Sequence, residues 1–386
     1  MASITLLGID LAKDVFQLHG LDELGRPQLK RTLRRRALVQ FVAKLPACTI
    51  AMEACSSSHH FSRKFQQFGH EVKIISPQFV KPFVQGNKND AADAEAICEA
   101  ASRRNMRFVA TKSVVQQDIQ CLHRVRKRLV HNRTALTNEI RSIVGEFGIV
   151  FAKKRSALVE GIKGLLNGSC PREELSSEGL TLLQDLYSEL LELDQRIENC
   201  ELKLKKISSQ PQCQRLFKVG GLGLLSVTAL AVALADPGQF KNGRNFAAWL
   251  GLAPRHQGTG GKNRILGISK RGDMDLRTLL IHGARAKLRG INAKCRAERK
   301  LDPLEDWAYR LCQRQGYNKA TVALANKNAR IAWSISAHKT EFESHKAVDS
   351  LKEGARTKNS PVLPSIKKMG QSVRPASPNP VSYEGA

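Results

Sequence analysis

The spacing of apolar and polar positions changes character along the chain. Near the N-terminus, short apolar runs of strand length dominate. Residues 3–10 form the first, ending in the acid of Gly8-Ile9-Asp10. The alternation in Asp14-Val15-Phe16-Gln17-Leu18-His19 predicts the second strand of a hairpin, 27–33 predicts a third with a strongly basic end (Arg31, Arg34, Arg35, Arg36), and 48–53 predicts a short strand closed by Glu53. Helical spacing appears at 37–45 and again at 57–68, where Phe61, Phe65 and Phe68 recur at i, i+4 and i+7 and Gly69 ends the pattern. Residues 71–75 read as the next strand, stopped by Pro77, and the alanine-rich stretch 90–103 reads as a helix without a breaker.

The middle of the chain is helical on a longer scale. Residues 114–147 predict one long helix with an approximate heptad stripe of Ile119, Leu122, Arg126, Leu129, Leu136, Ile140, Ile143 and Phe147. Residues 148–178 carry Gly161, Gly164, Gly168 and Pro171 and read as a connector with one short helix. A second long helix follows, in which Leu183, Leu186, Leu190, Leu193, Ile197, Cys200, Leu204 and Ile207 are spaced 3, 4, 3, 4, 3, 4, 3. That a/d seam predicts a coiled coil, with a bundle helix packed inside the chain as the alternative; dimerisation is a natural use of such a module. Pro211 breaks the helix, and 216–226 reads as helix, glycine-rich turn, helix. At Gly221 and Gly223 backbone N–H groups could approach a phosphate, as in a helix-hairpin-helix element, or the glycines could serve only a tight turn. Residues 255–264 read as a glycine-rich basic loop with one hydroxyl, Thr259, which lacks the P-loop spacing. Helices are expected from 273 to about 289, at 302–315 and at 318–336; the Pro, Ser, Lys and Gly of the last residues predict a disordered tail. The domain expectation is thus 1–110, an α/β unit; 111–209, a helical coiled-coil module; 210–340, a mainly helical unit; and 341–386, a basic tail.

Charge narrows the choice of partner. Lys and Arg number 62 against 35 Asp and Glu, a net charge of +27, which points to a polyanion, although ribosomal and membrane-surface proteins share that feature. No apolar run reaches membrane-span length, so no membrane is expected, and no basic segment precedes the first apolar stretch as in a signal peptide. The nine cysteines are scattered without CxxC or zinc spacing and read as reduced and cytoplasmic. Aromatics are only 5%, which favours contacts to phosphate over stacking on rows of bases. Candidate phosphate contacts are Arg124, Arg126, Lys127, Arg128, Arg255, Lys262, Arg264, Lys270 and Arg271; each alone is as well explained as a solvated charge, but the collective excess is not.

In so basic a chain, acids at strand ends stand out. Asp10, Glu53, Asp90 and Asp93 are candidate ligands for divalent metal in phosphodiester chemistry, since Mg²⁺ takes a few carboxylates plus waters and phosphates and two ions can clamp both oxygens of a phosphoryl transfer. Asp90 and Asp93, three apart, share a helix face, although Asp90 also suits an N-cap. Three strands, alternating helix and strand, then a carboxylate-bearing helix is the order of a ribonuclease-H-like domain.

Gly8-Ile9-Asp10, Met52-Glu53-Ala54-Cys55 and Lys88-Asn89-Asp90-Ala91-Ala92-Asp93-Ala94 resemble the acidic motifs of the DEDD transposases of bacterial insertion sequences. Gly251-Leu252-Ala253-Pro254, Gly260-Gly261-Lys262, Gly267-Ile268-Ser269-Lys270-Arg271-Gly272-Asp273 and Leu276-Arg277-Thr278-Leu279-Leu280 extend the resemblance, in order, over about 3–335. It implies a RuvC-like N-terminal domain, a coiled-coil module and a C-terminal transposase domain. It implies a catalytic and metal-binding tetrad of Asp10, Glu53, Asp90 and Asp93, using Mg²⁺, with two ions possible and Mn²⁺ able to replace it. It further implies a hydroxyl nucleophile linked covalently to DNA, an active site composed from two subunits of a dimer or tetramer, double-stranded DNA as substrate, a structured bridge RNA as guide, and a bacterial cytoplasmic, nucleoid-associated location. The family's serine aligns with Thr259, whose hydroxyl is more hindered. Three explanations stand: Thr259 acts, Ser269 acts instead, or the copy is impaired. Ser56 also departs from the glycine frequent beside the Glu53 position. Outside this family, the alternatives are a junction-resolving endonuclease with water as attacker and a non-catalytic nucleic-acid-binding remnant.

Overall fold

The computed structural model describes residues 3–84, 90–171, 175–259 and 262–345, so the expected tail lies outside it from 346 onward. The N-terminal part is built on a mixed sheet. Strands β1 (Leu6–Asp10), β2 (Val15–Leu21) and β3 (Pro27–Arg34) form an antiparallel meander. Helix α1 (Arg35–Lys44) leads to β4 (Thr49–Glu53), which runs parallel to β1; α2 (Ser58–Gln67) leads to β5 (Glu71–Ile75), parallel to β4. A short α3 (Pro77–Val80) and a 3₁₀ turn at Lys81–Phe83 follow, then α4 (Asp90–Ala101) and the two-residue β6 (Phe108–Val109), giving the order β3-β2-β1-β4-β5-β6.

Alternation along the strands gives the sheet two unlike faces. Leu7, Ile9, Ile50 and Met52 are fully buried on one, in a core with Phe16, Leu38, Phe61 and Phe65 from β2, α1 and α2. The opposite face is flat at its centre because Gly8 lies beside Ala51 across β1 and β4. Helix α4 rests on that bed with Ala96, Ile97 and Ala100 buried beneath it.

Helices α5 (Val114–Glu146), α6 (Arg155–Leu166) and α7 (Ser177–Ile207) share a second core. Reciprocal hydrogen bonds between Ser113 and Gln116 cap the start of α5. The α7 seam is buried from Leu183 to Leu204, and its partner across much of that length is α5 of the same chain. On α5 the expected stripe is corrected: Leu129, Leu136, Ile140 and Val144 are buried, and Ile143 and Phe147 do not carry the seam's end. A straight helix drifts away from a strict seven-residue repeat, so after a few turns the inward position moves by one residue.

The third core belongs to α8 (Pro211–Phe217), α9 (Leu224–Ala233), α10 (Gly243–Trp249), α11 (Met274–Arg296), α12 (Pro303–Gln315) and α13 (Tyr317–His338). Two expectations change here. Helix α11 continues past 289 to Arg296, because Leu288 and Ile291 keep the buried stripe going and Gly290 meets no obstacle. The supposed loop at 255–264 lies within a β-hairpin, β7 (Pro254–Thr259) paired with β8 (Lys262–Ile268). Its glycines and arginines conceal the alternation, and the pairing is fixed by cross-strand register. Between the helical units, the His123 ring nitrogen Nε2 lies 3.0 Å from Thr228 Oγ1, and Lys127 is ion-paired with Asp275. No helix of the described residues is long and apolar enough to cross a membrane.

Candidate active site

Parallel pairing of β1 with β4 sets Gly8 beside Ala51 and Ile9 beside Met52, so Asp10 and Glu53 follow as neighbours where both strands end. Period-two alternation turns both acids to the face on which α4 lies. A Cβ on Gly8 would stand 2.5 Å from the Ala94 carbonyl oxygen and 2.6 Å from Cys98 Sγ, so glycine is required for α4 to come this close. That approach brings Asp93, the residue before Ala94, to the two strand-end acids. The Glu53 carboxyl is pushed up by burial first and then by the negative charges of Asp10 and Asp93, the electrostatic sign of three acids facing one space.

The backbone of Asp90 opens α4; its side chain, like those of Thr259 and Lys262, lies outside the described part. Among the described residues no three His, Cys, Asp or Glu side chains are closed up around an ion-sized position. The donor set nevertheless suits a hard divalent cation: it offers oxygen ligands, and their mutual repulsion would be relieved by positive charge.

The loop after Glu53 is held by residues that periodicity does not mark. Ser58, fully buried, donates its hydroxyl to the Cys55 carbonyl (2.9 Å) and accepts from the Cys55 N–H (3.3 Å). His59 Nδ1 accepts the Lys112 N–H at 3.3 Å; burial, then Lys112 and Arg63, push its imidazole down to about 4, so it is a neutral acceptor. Arg63 donates to the Lys112 carbonyl and to Gln117 Oε1, both at 2.6 Å. Together these contacts fasten the Glu53 loop to the start of α5.

Thr259 pairs with Lys262 at the tip of the β7–β8 hairpin, whereas Ser269 follows Ile268 at its base, where its N–H donates to Ala253 O at 2.9 Å. The two candidate residues therefore lie at opposite ends of one element, about 20 Å apart along six strand residues. The base is locked. Gly251 and Gly272 both have φ of +71°, and a Cβ on either would strike backbone, Arg271 O at 2.3 Å or Trp249 O at 1.8 Å. Buried Arg277 donates Nη1 to Leu250 O (2.9 Å) and Arg271 O (2.7 Å).

The expected phosphate contacts divide. Arg124, Arg128, Arg255, Arg264, Lys270 and Arg271 are exposed. Arg126 instead binds Glu201 on α7 through Nε at 2.9 Å and Nη2 at 2.5 Å, and Lys127 pairs with Asp275. Gly221, with φ of +93°, packs on α11: a Cβ there would meet Gly283 O at 2.9 Å, so its glycine is explained by helix packing. Gly223 meets nothing and stays open.

Comparison with known proteins places this arrangement. Residues 7–148 match the model of DEDD transposases of the IS110 type, and residues 213–299 match the transposase model of the IS116/IS110/IS902 family. The class is thus a DEDD-type transposase of insertion sequences. A protein of Pseudomonas aeruginosa described as a probable family 20 transposase is 46% identical over 339 residues, covering 88% of this chain and 98% of its own. The transposase for insertion sequence element IS1111A of Coxiella burnetii is 44% identical over 340 residues (87% and 90%). That for IS1328 of Yersinia enterocolitica is 40% identical over 344 (89% and 99%). The chain belongs to the IS116/IS110/IS902 family of transposases, DNA-recombining enzymes whose substrate is DNA.

Proposed function

We propose that this transposase cuts and rejoins DNA at a metal site formed by Asp10, Glu53, Asp90 and Asp93, with the Thr259 hydroxyl as nucleophile. The observation that carries the reading is the convergence of Asp10, Glu53 and Asp93 on one face of the sheet, where burial and then the charges of Asp10 and Asp93 lift the Glu53 carboxyl. A bound pair of Mg²⁺ ions, or Mn²⁺ in their place, would supply Lewis-acid stabilisation of charge on the transferring phosphate. The chain's own contribution is positional. β1 and β4 fix Asp10 and Glu53, Gly8 admits α4 with Asp90 and Asp93, and the hairpin offers Thr259 at its tip. In the cleavage step Thr259 Oγ1 loses its proton and bonds to phosphorus, while one deoxyribose oxygen leaves and takes up a proton; the reverse attack by a new DNA hydroxyl restores the threonine.

Around this chemistry the proposal includes a RuvC-like fold for 1–110, a helical spacer of coiled-coil type at 111–209 and a transposase domain at 210–340. The cores support that division, with two on the faces of the N-terminal sheet and one in each helical unit. It includes a structured guide RNA and a homo-oligomer, which the family resemblance supports, and backbone contacts by Arg124, Arg128, Arg255, Lys262, Arg264, Lys270 and Arg271, which their basic character supports. Gly223 is the remaining glycine of the helix–turn–helix segment open to a phosphate.

The test is cleavage of a supercoiled plasmid bearing the element ends, with Mg²⁺ and the flanking transcript. Asp10→Asn is expected to abolish nicking and keep DNA binding. Thr259→Ser should retain a protein–DNA adduct in denaturing gels, and Thr259→Ala should lose it. Full cleavage by Asp10→Asn would refute the metal site. Full cleavage by Thr259→Ala without any adduct would replace the hydroxyl by water, as in a junction-resolving endonuclease.

A further inference from the structure

The carboxylate face of the N-terminal sheet continues sideways from Asp10 onto β2 and β3. Residues opposed in an antiparallel pair lie on one face. Asp10 is opposed by Gln17 on β2, and Gln17 by Thr32 on β3, so the three form one row across the sheet. Two residues further along, Val15 is opposed by Arg34, the last residue of β3. Arg34 keeps an extended backbone, with φ of −80° and ψ of 160°, so the alternation holds through it and sets it on the same face.

Helix α4 covers this face only as far as the row before. His19 is buried, and Lys30, which opposes it, reaches Glu95 of α4 at 3.5 Å. Beyond that row the face opens: Val15, Thr32 and Arg34 are exposed and Gln17 is half-buried. A polar shelf therefore runs from Asp10 to the end of β3. Thr32 donates its hydroxyl to Gln17 Oε1 at 2.7 Å, which leaves the Gln17 amide NH2 as a donor in the row beside Asp10. Arg35, next in sequence, stacks over Phe16 and Phe61 at 5.6 and 5.1 Å from the ring centres, and donates Nη2 to the Lys13 carbonyl at 3.1 Å. These contacts fix the end of β3 against the turn between β1 and β2, and with it the point from which the Arg34 side chain starts. One acid, Asp14, borders the same rim as Arg34, Arg35 and Arg36; three guanidinium groups to one carboxylate leave the rim positive.

A DNA strand entering a group of acids is repelled by them, so a fixed cation alongside favours its approach. Arg34 suits that use, because its planar fork can bind two oxygens of one phosphate. Two strand spacings across and two residues along place its Cα about 12 Å from that of Asp10. Each nucleotide of a duplex strand advances by about 3.4 Å. We propose that Arg34 grips a phosphate of the DNA strand being cut, within about four nucleotides of the reacting one, and so positions that strand over the carboxylates. This placement rests on the carboxylate reading above and adds to it the side from which the strand is held.

Binding is measured by fluorescence anisotropy with a labelled duplex of an element end, on full-length protein carrying Asp10→Asn so that no cleavage intervenes. Arg34→Gln should weaken binding by about tenfold and lower the salt slope by about 1. Arg34→Lys should keep the slope, and Lys163→Gln, on the exposed side of α6, should leave affinity and slope near the parent values. Duplexes with one phosphate at a time replaced by an uncharged methylphosphonate then locate the contact. One replacement should weaken the parent but not Arg34→Gln, and it should lie within about four nucleotides of the bond that the wild-type protein nicks. Equal affinities of Arg34→Gln and Lys163→Gln, one replacement profile shared by Arg34→Gln and the parent, or an Arg34-dependent phosphate far from the nick would overturn the proposal. So would a loss seen only with the labelled structured transcript, which would make Arg34 an RNA contact. Failure of the carboxylate reading shows separately, as nicking by Asp10→Asn, whereas failure of the Arg34 contact shows in binding.

Discussion

Glu305 sets a limit on the acid tolerance of the C-terminal unit. Its side chain is 1% exposed, and it accepts Lys287 Nζ at 2.5 Å and Lys294 Nζ at 2.8 and 3.0 Å. Burial alone would raise its carboxyl. The hydrogen bonds from Lys287, Lys294 and the Asp302 N–H outweigh that and hold it down to about 2, against 4.5 for an ordinary glutamate. The folded value lies below the unfolded one, so the stabilisation is fully present above about 4.5 and is lost as pH falls towards 2. A depression of that size corresponds to roughly 3 kcal/mol. Glu305→Gln should therefore lower the neutral-pH melting temperature by roughly 5–10 °C, and the gap to the parent should narrow as pH falls below the glutamate range. Melting followed by circular dichroism from neutral pH to about 3 checks this; a gap that stays constant would place the effect in packing and not in charge. The local pattern marks Glu305 only as the third residue of a capping box with Asp302, because its lysine partners come from α11, eleven and eighteen positions away. Asp10 and Glu53 are legible for the opposite reason: each closes a short apolar run, and both lie at strand ends.

At the scale of elements, the seat of α4 on β1 links packing to chemistry. Gly8→Ala adds one methyl against the Ala94 carbonyl and Cys98 Sγ, and since the first is backbone, α4 itself must move. Overpacking of this kind costs about 1–3 kcal/mol. Asp93 moves with the helix, so plasmid nicking well below the melting temperature should fall by more than tenfold. Wild-type nicking by a folded Gly8→Ala protein would show that the position of Asp93 is not critical. Which elements the sequence makes legible follows from their period. Strands β1 and β4 are short apolar runs, β2 alternates, and the long helices α5 and α7 carry repeats of three and four; their bounds agree with the expected ones within a few residues. The β7–β8 hairpin does not, because Gly258 and the run of polar residues interrupt its alternation and its pairing is a cross-strand property. The same holds for Gly8, Gly243, Gly272 and Gly283, each defined by a neighbour distant in the chain.

For the whole molecule, the connections run through α5. Its start is fastened to the Glu53 loop by Arg63 and His59, its first turns reach α9 and α11 through His123 and Lys127, and Arg126 ties it to α7 through Glu201. The α7 seam is packed on α5 within the chain, so a second copy would meet this module on another face. The family resemblance implies that the carboxylates of one subunit act with the hydroxyl of another, and mixing two inactive variants tests that directly. Asp10→Asn keeps Thr259, and Thr259→Ala keeps the carboxylates. In a mixed dimer one composite site has both defects and the other has neither; random pairing of equal amounts therefore leaves about a quarter of all sites intact. Co-expression of the two variants should recover about that fraction of plasmid nicking, and the trapped adduct should form on the Asp10→Asn chain, separable by a size tag. Equal expression with no recovery, in samples where mixed oligomers are isolated by sequential affinity capture, would mean that carboxylates and hydroxyl act within one chain.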